Sequence, residues 1–445
     1  MAVIFILYDI IGSVATNRAM INQSRTTIAV VIGNRAFRAL WFAQICSQLS
    51  INMMLFLLGL VVYQATTSNT AVSGLFLAFG IPAVIFGAVA GVAVDRLDRK
   101  KVLFLCDLLR ALLVAGLFLL SHNVVLVYLL VFLNALVTQF YVPAEAPTIP
   151  RLVKGGELVT ANSLFSFTYY SSMALGFILA GPVLRLLGSR GALLFLSSLF
   201  LLAATSVSRL PSQKDTVTRR FTDLLRYDIL SIFRKVWRDL IAGWAYLLSM
   251  PKLLDALLLL TGTQVIVAVL GTLGPGFADR VLQIDVRDAS VVVIGPVVAG
   301  ILLGALWVGN FGFRLSPQKL IRTGIVGAGI FLMLISLTVR LKRVAVFAWL
   351  FHDWVIFPLE ILLFFLLGVA NSLLDVPANS VLQKESAGEM RGRVYGILAA
   401  AVGGIGVLPV MAGGLLADSF GVGKVIFVLG VLVSLYGLYR VRHKI

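Results

Sequence analysis

The charged side chains that stand in or beside long apolar runs are the residues of this chain best placed to do chemistry. Glu360 lies in FPLEILLFF, Asp107 and Arg110 lie in LFLCDLLRALL, and Glu145 and Asp375 end the segments YVPAE and NSLLD. A charge at the centre of a membrane helix costs roughly 2.5–3.5 kcal/mol, so each one needs a function or a partner. Because a carboxyl group can bind and release a proton, Glu145, Glu360 and Asp375 are candidate sites for proton coupling.

Each of these charges also has a structural alternative. Asp107 and Arg110 have the i, i+3 spacing that lets them neutralise one another on one helix face, and a structural network is favoured over proton transfer. Glu360 lies about a turn and a half inside its run, so an interfacial carboxylate that reaches water is an equal alternative. Glu145 and Asp375 stand at helix ends, where a salt bridge or contact with water is easily reached.

Amide side chains form a second polar pattern. Gln44, Gln48 and Asn52 recur at i, i+4 and i+8 in an otherwise apolar segment, which places them along one face of a helix. Such a stripe should face either an aqueous cavity or a neighbouring helix.

Other kinds of chemistry have little support in the sequence. Cys46 and Cys106 both lie in apolar runs, and the three histidines show no metal-ligand spacing. No pair of carboxylates or glycine loop suggests catalysis, and the G-x-x-x-x-G-K-[ST] motif of ATP-driven pumps is absent. We therefore expect no cofactor and no metal, and a membrane enzyme is only the alternative from another functional class.

The composition identifies the solvent in which these residues must work. The chain has 445 residues, of which 60% are hydrophobic and 13% charged, and its mean hydropathy is +1.00. Soluble domains carry about 25% charged residues, so the composition excludes a soluble fold and indicates lipid.

The elements that must position these residues are long apolar segments. A spanning helix needs about 20 mostly apolar residues. Runs of this kind lie near 37–63, 71–94, 102–120, 123–142, 161–184, 191–208, 253–277, 290–309, 321–340, 355–378, 394–417 and 425–439. The sequence therefore predicts an all-α membrane protein with about twelve transmembrane helices, six on each side of a polar stretch.

That polar stretch divides the chain. We predict an N-terminal cytoplasmic or interfacial segment (1–36), a six-helix bundle (37–208), a cytoplasmic linker (209–252), a second six-helix bundle (253–439) and a short cytoplasmic tail (440–445). Apolar residues at helical spacing between Leu224 and Trp237 predict an amphipathic helix on an anionic membrane face, with a site for a regulatory partner as the alternative.

The placement of basic residues predicts the orientation. The formal net charge is +17, and most of the 37 Lys and Arg residues fall in the linker, the termini and the loops on the same side of the predicted membrane. The positive-inside rule then places both termini in the cytoplasm.

The two bundles carry a repeat that can be read from the letters. The segment Tyr141–Glu145 (YVPAE) matches Asp375–Asn379 (DVPAN), and Gly181 and Gly188 lie at nearly the same offset from Gly414 and Gly421. Two matches at nearly one offset indicate duplication of a six-helix unit, an architecture common among secondary transporters.

One motif is more specific than these patterns. Residues 91–100 read GVAVDRLDRK. This segment resembles, without a mismatch, the G-x-x-x-D-R-x-x-R-K signature of the major facilitator superfamily. Physically, Gly91 permits two helices to approach closely and Asp95 can accept a charge-assisted hydrogen bond.

The resemblance implies the major facilitator fold, with two pseudo-symmetric bundles, and gives roles to several residues. The aspartate of the motif latches the outward-facing state, so the implied gate residues are Gly91, Asp95, Arg96, Arg99 and Lys100, with Asp107 and Arg110 beside them. In the second half Phe313 stands where the matching aspartate is expected.

Further segments, such as Asp107–Arg110 and Met390–Val394, resemble the macrolide-efflux and siderophore-exporter branch of that family. This branch implies proton-driven export. Helices 1, 4, 7 and 10 of the family line a central cavity, so the implied substrate-lining residues are Gln44, Gln48, Asn52, Asn134, Thr138, Gln139, Thr261, Gln264 and Asn371.

The sequence therefore predicts an alternating-access exporter of a small lipophilic or amphipathic compound. Its expected partners are that substrate, protons and membrane lipids, but not nucleic acid. We expect a monomer in the plasma membrane, which is the inner membrane in a bacterium. A flippase for lipids or lysophospholipids with the same fold is the alternative within transport.

Overall fold

The computed structural model describes residues 28–94, 97–120, 123–211, 238, 241–342, 353–386, 394, 397–398, 401 and 406–443. The predicted linker helix between Leu224 and Trp237, the motif residues Asp95 and Arg96, and most of the segment Met390–Val394 lie outside this description.

The described chain is built from long apolar helices. In the first part, here called the N-half, these are α1 (Arg35–Thr66), α2 (Asn69–Val94), α3 (Arg99–Leu120), α4 (Val124–Glu145), and α5 and α6, which together form Leu158–Ser208. In the second part, the C-half, they are α7 (Pro251–Phe277), α8 (Gly295–Phe311), α9 (Pro317–Lys342), α10 (Asp353–Glu385), α11 (Val407–Phe420) and α12 (Val422–His443).

The prediction of an all-α membrane fold is confirmed. Among the described residues, nine helices are long and apolar enough to cross a membrane. Many large apolar side chains are exposed, among them Leu129 (50%) and Leu432 (58%), as expected of helices that contact lipid. The number of twelve spans stays a prediction, since α11 is short and α5 joins α6 without a gap.

Local sequence explains where helices begin and bend. Asn34 begins α1 by accepting hydrogen bonds from the backbone N–H groups of Ala36 (3.0 Å) and Phe37 (3.2 Å). Gly188 separates α5 (residues 158–187) from α6 (189–208), because its φ of 66° is a conformation that glycine adopts without strain.

The two ends of the bundle differ. We call the end at which α6 stops and α7 starts the linker end, and the opposite end, where α1 turns into α2 and α7 into α8, the hairpin end. At the linker end each half has a hydrophobic core of its own, around Leu103 in the N-half and Leu257 in the C-half. At the hairpin end the core of the N-half continues into the C-half through Ala278 and Ala289.

Candidate functional site

A cavity of about 280 Å³ lies between the two halves. The N-half contributes Phe56 of α1, Phe76 of α2, and Met173 and Phe177 of α5. Met173 and Phe177 are one helical turn apart, so both reach the same surface. Phenylalanine and methionine side chains form this side of the cavity, and none of the described residues that line it here is polar.

The C-half supplies the polar side chains of the cavity. Thr263 and Gln264 of α7 and Asn371 of α10 line it, among apolar residues such as Phe277 and Phe364. Gln264 is exposed to the space, whereas Thr263 is buried, and its hydroxyl lies 2.8 Å from the carbonyl oxygen of Leu260 and 3.3 Å from Asp375 Oδ1. The cavity can therefore hold an apolar body on one side and exchange hydrogen bonds on the other.

Two of the nine predicted substrate-lining residues, Gln264 and Asn371, lie on this cavity. The stripe on α1 makes other contacts: Gln44 Nε2 donates to the carbonyl of Phe165 on α5 (3.3 Å), and Asn52 Nδ2 donates to the carbonyl of Gln48 in its own helix (2.8 Å). Gln44 therefore joins two helices of the N-half, one of the two arrangements that its spacing allowed.

The remaining predicted lining residues bond within their own helices or are buried. Thr138, Gln139 and Thr261 donate to backbone carbonyls four residues earlier. Asn134 is 1% exposed, and both of its amide atoms lack a hydrogen-bond partner among the described residues. A buried amide without hydrogen-bond partners is costly.

The structure brings Asp107 and Arg110 together in the interior of the N-half. Arg110 Nη1 lies 3.3 Å from Asp107 Oδ1 and donates to Ser47 Oγ at 2.8 Å, and Ser47 Oγ lies 3.0 Å from the same Asp107 oxygen. The guanidinium carbon of Arg110 also lies 4.4 Å from the ring centroid of Tyr141. This compact network joins α1, α3 and α4.

Glu145 lies one turn beyond Tyr141 on α4. Its residue is 8% exposed, and its Oε1 has no hydrogen-bond partner among the described residues. The N-half therefore holds two acids, Asp107 and Glu145, close to the Tyr141 ring on which the Arg110 guanidinium packs.

The other motif residues lie at the linker end of α2 and α3. At Gly91, no described atom outside its own helix lies within 4 Å of the position that a Cβ would occupy. Arg99 is buried and Lys100 half-buried. Asp98, which the motif leaves variable, begins α3 by accepting from the backbone N–H of Lys100 at 3.1 Å.

The acids of the C-half stand apart from one another. Glu360 is 0% exposed and is hydrogen-bonded to the hydroxyl of Thr338 on α9, while its Oε2 has no partner among the described residues. Asp375 is half-buried and reaches the cavity through Thr263. Of the two, Asp375 is the carboxyl group in contact with a cavity residue.

No group of three or more His, Cys, Asp or Glu side chains is placed to hold a metal ion among the described residues. Asp418 at the end of α11 is a polar residue that the sequence patterns did not single out. It accepts hydrogen bonds from the start of α2 in the other half.

A family model described as Major Facilitator Superfamily matches residues 40–351, which is more than half of the chain. The chain belongs to this family. It is therefore a multi-pass membrane transporter and not an enzyme, and the resemblance suggested by residues 91–100 is confirmed.

Two curated relatives extend the comparison. The enterobactin exporter EntS of Escherichia coli (strain K12) is 27% identical over 433 residues, which cover 92% of this chain and 93% of the relative. Macrolide efflux protein A of Streptococcus pyogenes is 26% identical over 316 residues, or 68% of this chain and 72% of the relative. These are the two kinds of exporter that the sequence resemblance indicated.

The fold agrees with solved transporters. The structure of a bacterial homologue of the human lysosomal transporter Spinster matches with a TM-score of 0.67 at 12% identity, covering 90% of this chain and 94% of that one. At this identity the match shows the fold alone, which is the predicted major facilitator fold.

Proposed function

We propose that this member of the superfamily exports a small lipophilic or amphipathic compound by alternating access, and that the export is coupled to protons. The observation that carries the proposal is the cavity between the halves, which has an aromatic wall on the N-half and hydrogen-bonding side chains on the C-half. The relatives named for enterobactin export and macrolide efflux support the direction of transport.

The lining indicates the class of substrate. Phe56, Phe76 and Phe177 offer apolar and aromatic contacts, while Gln264 and Asn371 offer amide donors and acceptors. No charged side chain lines the cavity among the described residues. This environment suits an uncharged compound with an apolar or aromatic body and one or two hydrogen-bonding groups on the side that meets α7 and α10.

The contacts between the halves support loading from the linker end. The halves share a core and polar contacts at the hairpin end. If the linker end faces the cytoplasm, as the Lys and Arg distribution predicts, the compound enters from the cytoplasm and leaves when the hairpin end opens.

We assign the proton to Asp375. Its Oδ1 lies 3.3 Å from the hydroxyl of Thr263, a residue that lines the cavity, whereas Glu360 is fully buried and contacts α9. Protonation of Asp375 would remove its negative charge and change its interaction with Thr263. Because Thr263 lines the cavity, protonation would then alter the cavity lining directly.

Efflux from cells that lack their own pumps tests the transport claim. Expression of the chain should lower the accumulation of uncharged aromatic compounds. Asn371→Leu should remove most of this activity, because a lost hydrogen bond to a buried substrate group costs about 1–3 kcal/mol. The matched control is Asn310→Leu, since Asn310 is exposed and bonds only the carbonyl of Leu306 in its own helix (3.0 Å). Equal loss in both variants would contradict the assigned cavity.

Proton coupling is tested in proteoliposomes that contain the purified protein. A compound identified by the efflux screen should drive proton flux in the wild type, and Asp375→Asn should transport the compound without that flux. Unchanged flux in Asp375→Asn would exclude Asp375, and no flux in the wild type would exclude antiport.

The apolar lining of the cavity also favours a second candidate, a flippase for lysophospholipids. A fluorescent lysolipid and a set of uncharged aromatic compounds should be compared for binding to the same purified protein. Binding and translocation of the lysolipid, with no efflux of the other compounds, would favour the flippase over the exporter.

A further inference from the structure

Asp418 stands at the last turn of α11 in the C-half, and its carboxylate lies against the start of α2 in the N-half. Oδ1 accepts from the backbone N–H and the Nδ2 of Asn69, both at 2.9 Å. Oδ2 accepts from Ser68 Oγ (2.6 Å), and from the backbone N–H (2.9 Å) and Oγ1 (2.8 Å) of Thr70. One side chain thus satisfies five donors of the other half.

The position is favourable for a negative charge. The first N–H groups of a helix have no partner inside the helix, and the positive end of the helix dipole lies there. Helices usually satisfy these donors with a cap from their own chain just upstream. In α2 the hydroxyl of Ser68 accepts from the backbone N–H of Ala71 at 3.2 Å, whereas the N–H groups of Asn69 and Thr70 donate to a carboxylate about 350 residues away. These two donors are therefore satisfied only while the two halves are together at the hairpin end.

The end of α7 adds to the contact. Arg280 Nη1 lies 3.7 Å from Asp418 Oδ1, and its Nη2 donates to the backbone carbonyl of Thr67. Tyr63 at the end of α1 donates to Asp279 Oδ2 at 3.0 Å. Charged and polar groups of α7 and α11 therefore hold the loop between α1 and α2 from two sides.

The packing below these groups is close. Ser73, which is 0% exposed, lies 3.1 Å from the backbone carbonyl of Val410 on α11. A Cβ at Gly414 would overlap Ser73 Oγ, and a Cβ at Gly276 would overlap the amide of Asn69. Because Gly276 and Gly414 have no side chains, Asn69 and Ser73 can pack directly against the backbone of the C-half beside the Asp418 carboxylate.

We propose that Asp418 is a positioning residue that latches the hairpin end closed, and that its release from α2 is a required step of transport. When the halves separate there, the N–H groups of Asn69 and Thr70 lose their acceptor and must bind water instead. Opening is therefore tied to hydration of the start of α2. The latch concerns the conformational equilibrium alone and holds whatever the substrate or coupling ion is.

Distances between the halves test the latch without a substrate. Spin labels at Val125→Cys on α4 and Val355→Cys on α10 report on the hairpin end, since both side chains are exposed there (71% and 49%). The native Cys46 and Cys106 are buried and are replaced by alanine in this background. The protein is studied at full length in lipid nanodiscs by pulsed electron paramagnetic resonance.

Asp418→Asn should raise the ratio of the long-distance to the short-distance population at least tenfold, because the amide brings two donors to a place where five donors already converge. Asp285→Asn is the matched control, since Asp285 is an exposed acid at the same end that caps a turn of its own half through Arg287 (2.8 Å). It should leave the distances as in the wild type.

A second variant keeps the proposal open to refutation should Asp418→Asn be poorly folded. The double variant Ser68→Ala with Thr70→Ala removes two donors and leaves the carboxylate in place, and it should shift the populations in the same direction by a smaller factor. Wild-type distances in a folded Asp418→Asn protein, or an equal shift in Asp285→Asn, would overturn the latch.

Discussion

The two ends of the molecule hold the halves in different ways. At the hairpin end, Ala278 and Ala289 of the C-half belong to the hydrophobic core of the N-half. At the linker end, the core around Leu103 and the core around Leu257 each contain residues of one half only. Among the described residues, the halves thus share a hydrophobic core at the hairpin end and have separate cores at the linker end.

Glycines show the same difference at atomic scale. A Cβ at Gly181 would overlap the carbonyl oxygen of Arg287, and a Cβ at Gly414 would overlap Ser73, both across the boundary between the halves. At Gly91 and its counterpart Gly309, no described atom lies within 4 Å of that position. Among the described residues, the glycines that press closely on the other half, Gly181, Gly276 and Gly414, all lie toward the hairpin end, so close packing between the halves is a feature of that end in this conformation.

The largest effect is expected from a substitution inside the N-half. The buried pair of Asp107 and Arg110 lies within this half, where Arg110 contacts Ser47 and the ring of Tyr141. Arg110→Ala leaves Asp107 buried without its cation and should lower the free energy of unfolding by about 3–5 kcal/mol. Thermal unfolding in detergent measures this change.

The control for that prediction is Lys101→Ala, an exposed basic residue of the same helix, which should unfold like the wild type. Replacing both Asp107 and Arg110 by leucine should recover part of the loss, since no uncompensated charge remains. A stable Arg110→Ala protein would show that the pair does not hold this end together.

The next largest effect concerns the tight contact at the hairpin end. Gly181→Val places two methyl groups against the backbone of Arg287 and should disfavour the closed hairpin end by about 1–3 kcal/mol, the usual cost of overpacking. The distance between labels at Val125 and Val355 should lengthen. Gly91→Val, the matched change at the linker end, should leave that distance as it is, and equal effects would refute the difference between the ends.

The opposite state should be sensitive to the motif. Asp95→Asn removes the acceptor that the family resemblance assigns to the inner gate, and we expect transport to fall about tenfold while membrane abundance stays near the wild-type level. Efflux assays with quantitative immunoblots measure both quantities. Full transport by this variant would refute the gate role of Asp95.

The smallest effect belongs to an exposed ion pair. Arg185 and Asp288 bridge the halves at 2.5 Å, but their side chains are 49% and 35% exposed, so water and salt screen their attraction. Arg185→Ala should leave the label distances unchanged at physiological salt. A shift in distance as large as that of Gly181→Val would show that exposed charges, and not packing, keep the hairpin end closed.

The repeat was visible in the sequence, and the structure gives a physical reason for its glycines. Gly188 and Gly421 have φ values of 66° and 94°, so each ends a helix in a conformation that other residues rarely adopt. Gly181 and Gly414, seven residues earlier, each face the other half. Conformation and close packing restrict these positions to glycine in both halves, which is why the repeat is visible there.

The contact partners of individual side chains were harder to predict than the helices. Gln44 and Gln264 are both amides in apolar runs, yet one joins α1 to α5 and the other faces the cavity. Helical spacing gives the face of a residue relative to its own helix, and the rotation of that helix depends on all of its neighbours. The burial of Glu360 was one of two open alternatives for the same reason.

Asp418 could not have been found by spacing. An acid at the end of an apolar run usually lies in water, and its five donors come from a loop that is distant in sequence. Only the juxtaposition of α2 and α11 gives it a partner. The pattern that would have helped is the run Ser68–Thr70 at the start of α2, three residues that favour caps and turns.

The one-sided lining of the cavity has a consequence for how such a transporter diversifies. The N-half contributes only phenylalanine and methionine to the lining, whereas the amides come from the C-half together with further apolar residues. Mutations among Phe56, Phe76, Met173 and Phe177 can therefore enlarge or reshape the cavity without losing Gln264 or Asn371. If the cavity binds the exported compound as proposed, the N-half can adapt to a bulkier compound while the C-half keeps its hydrogen-bonding groups.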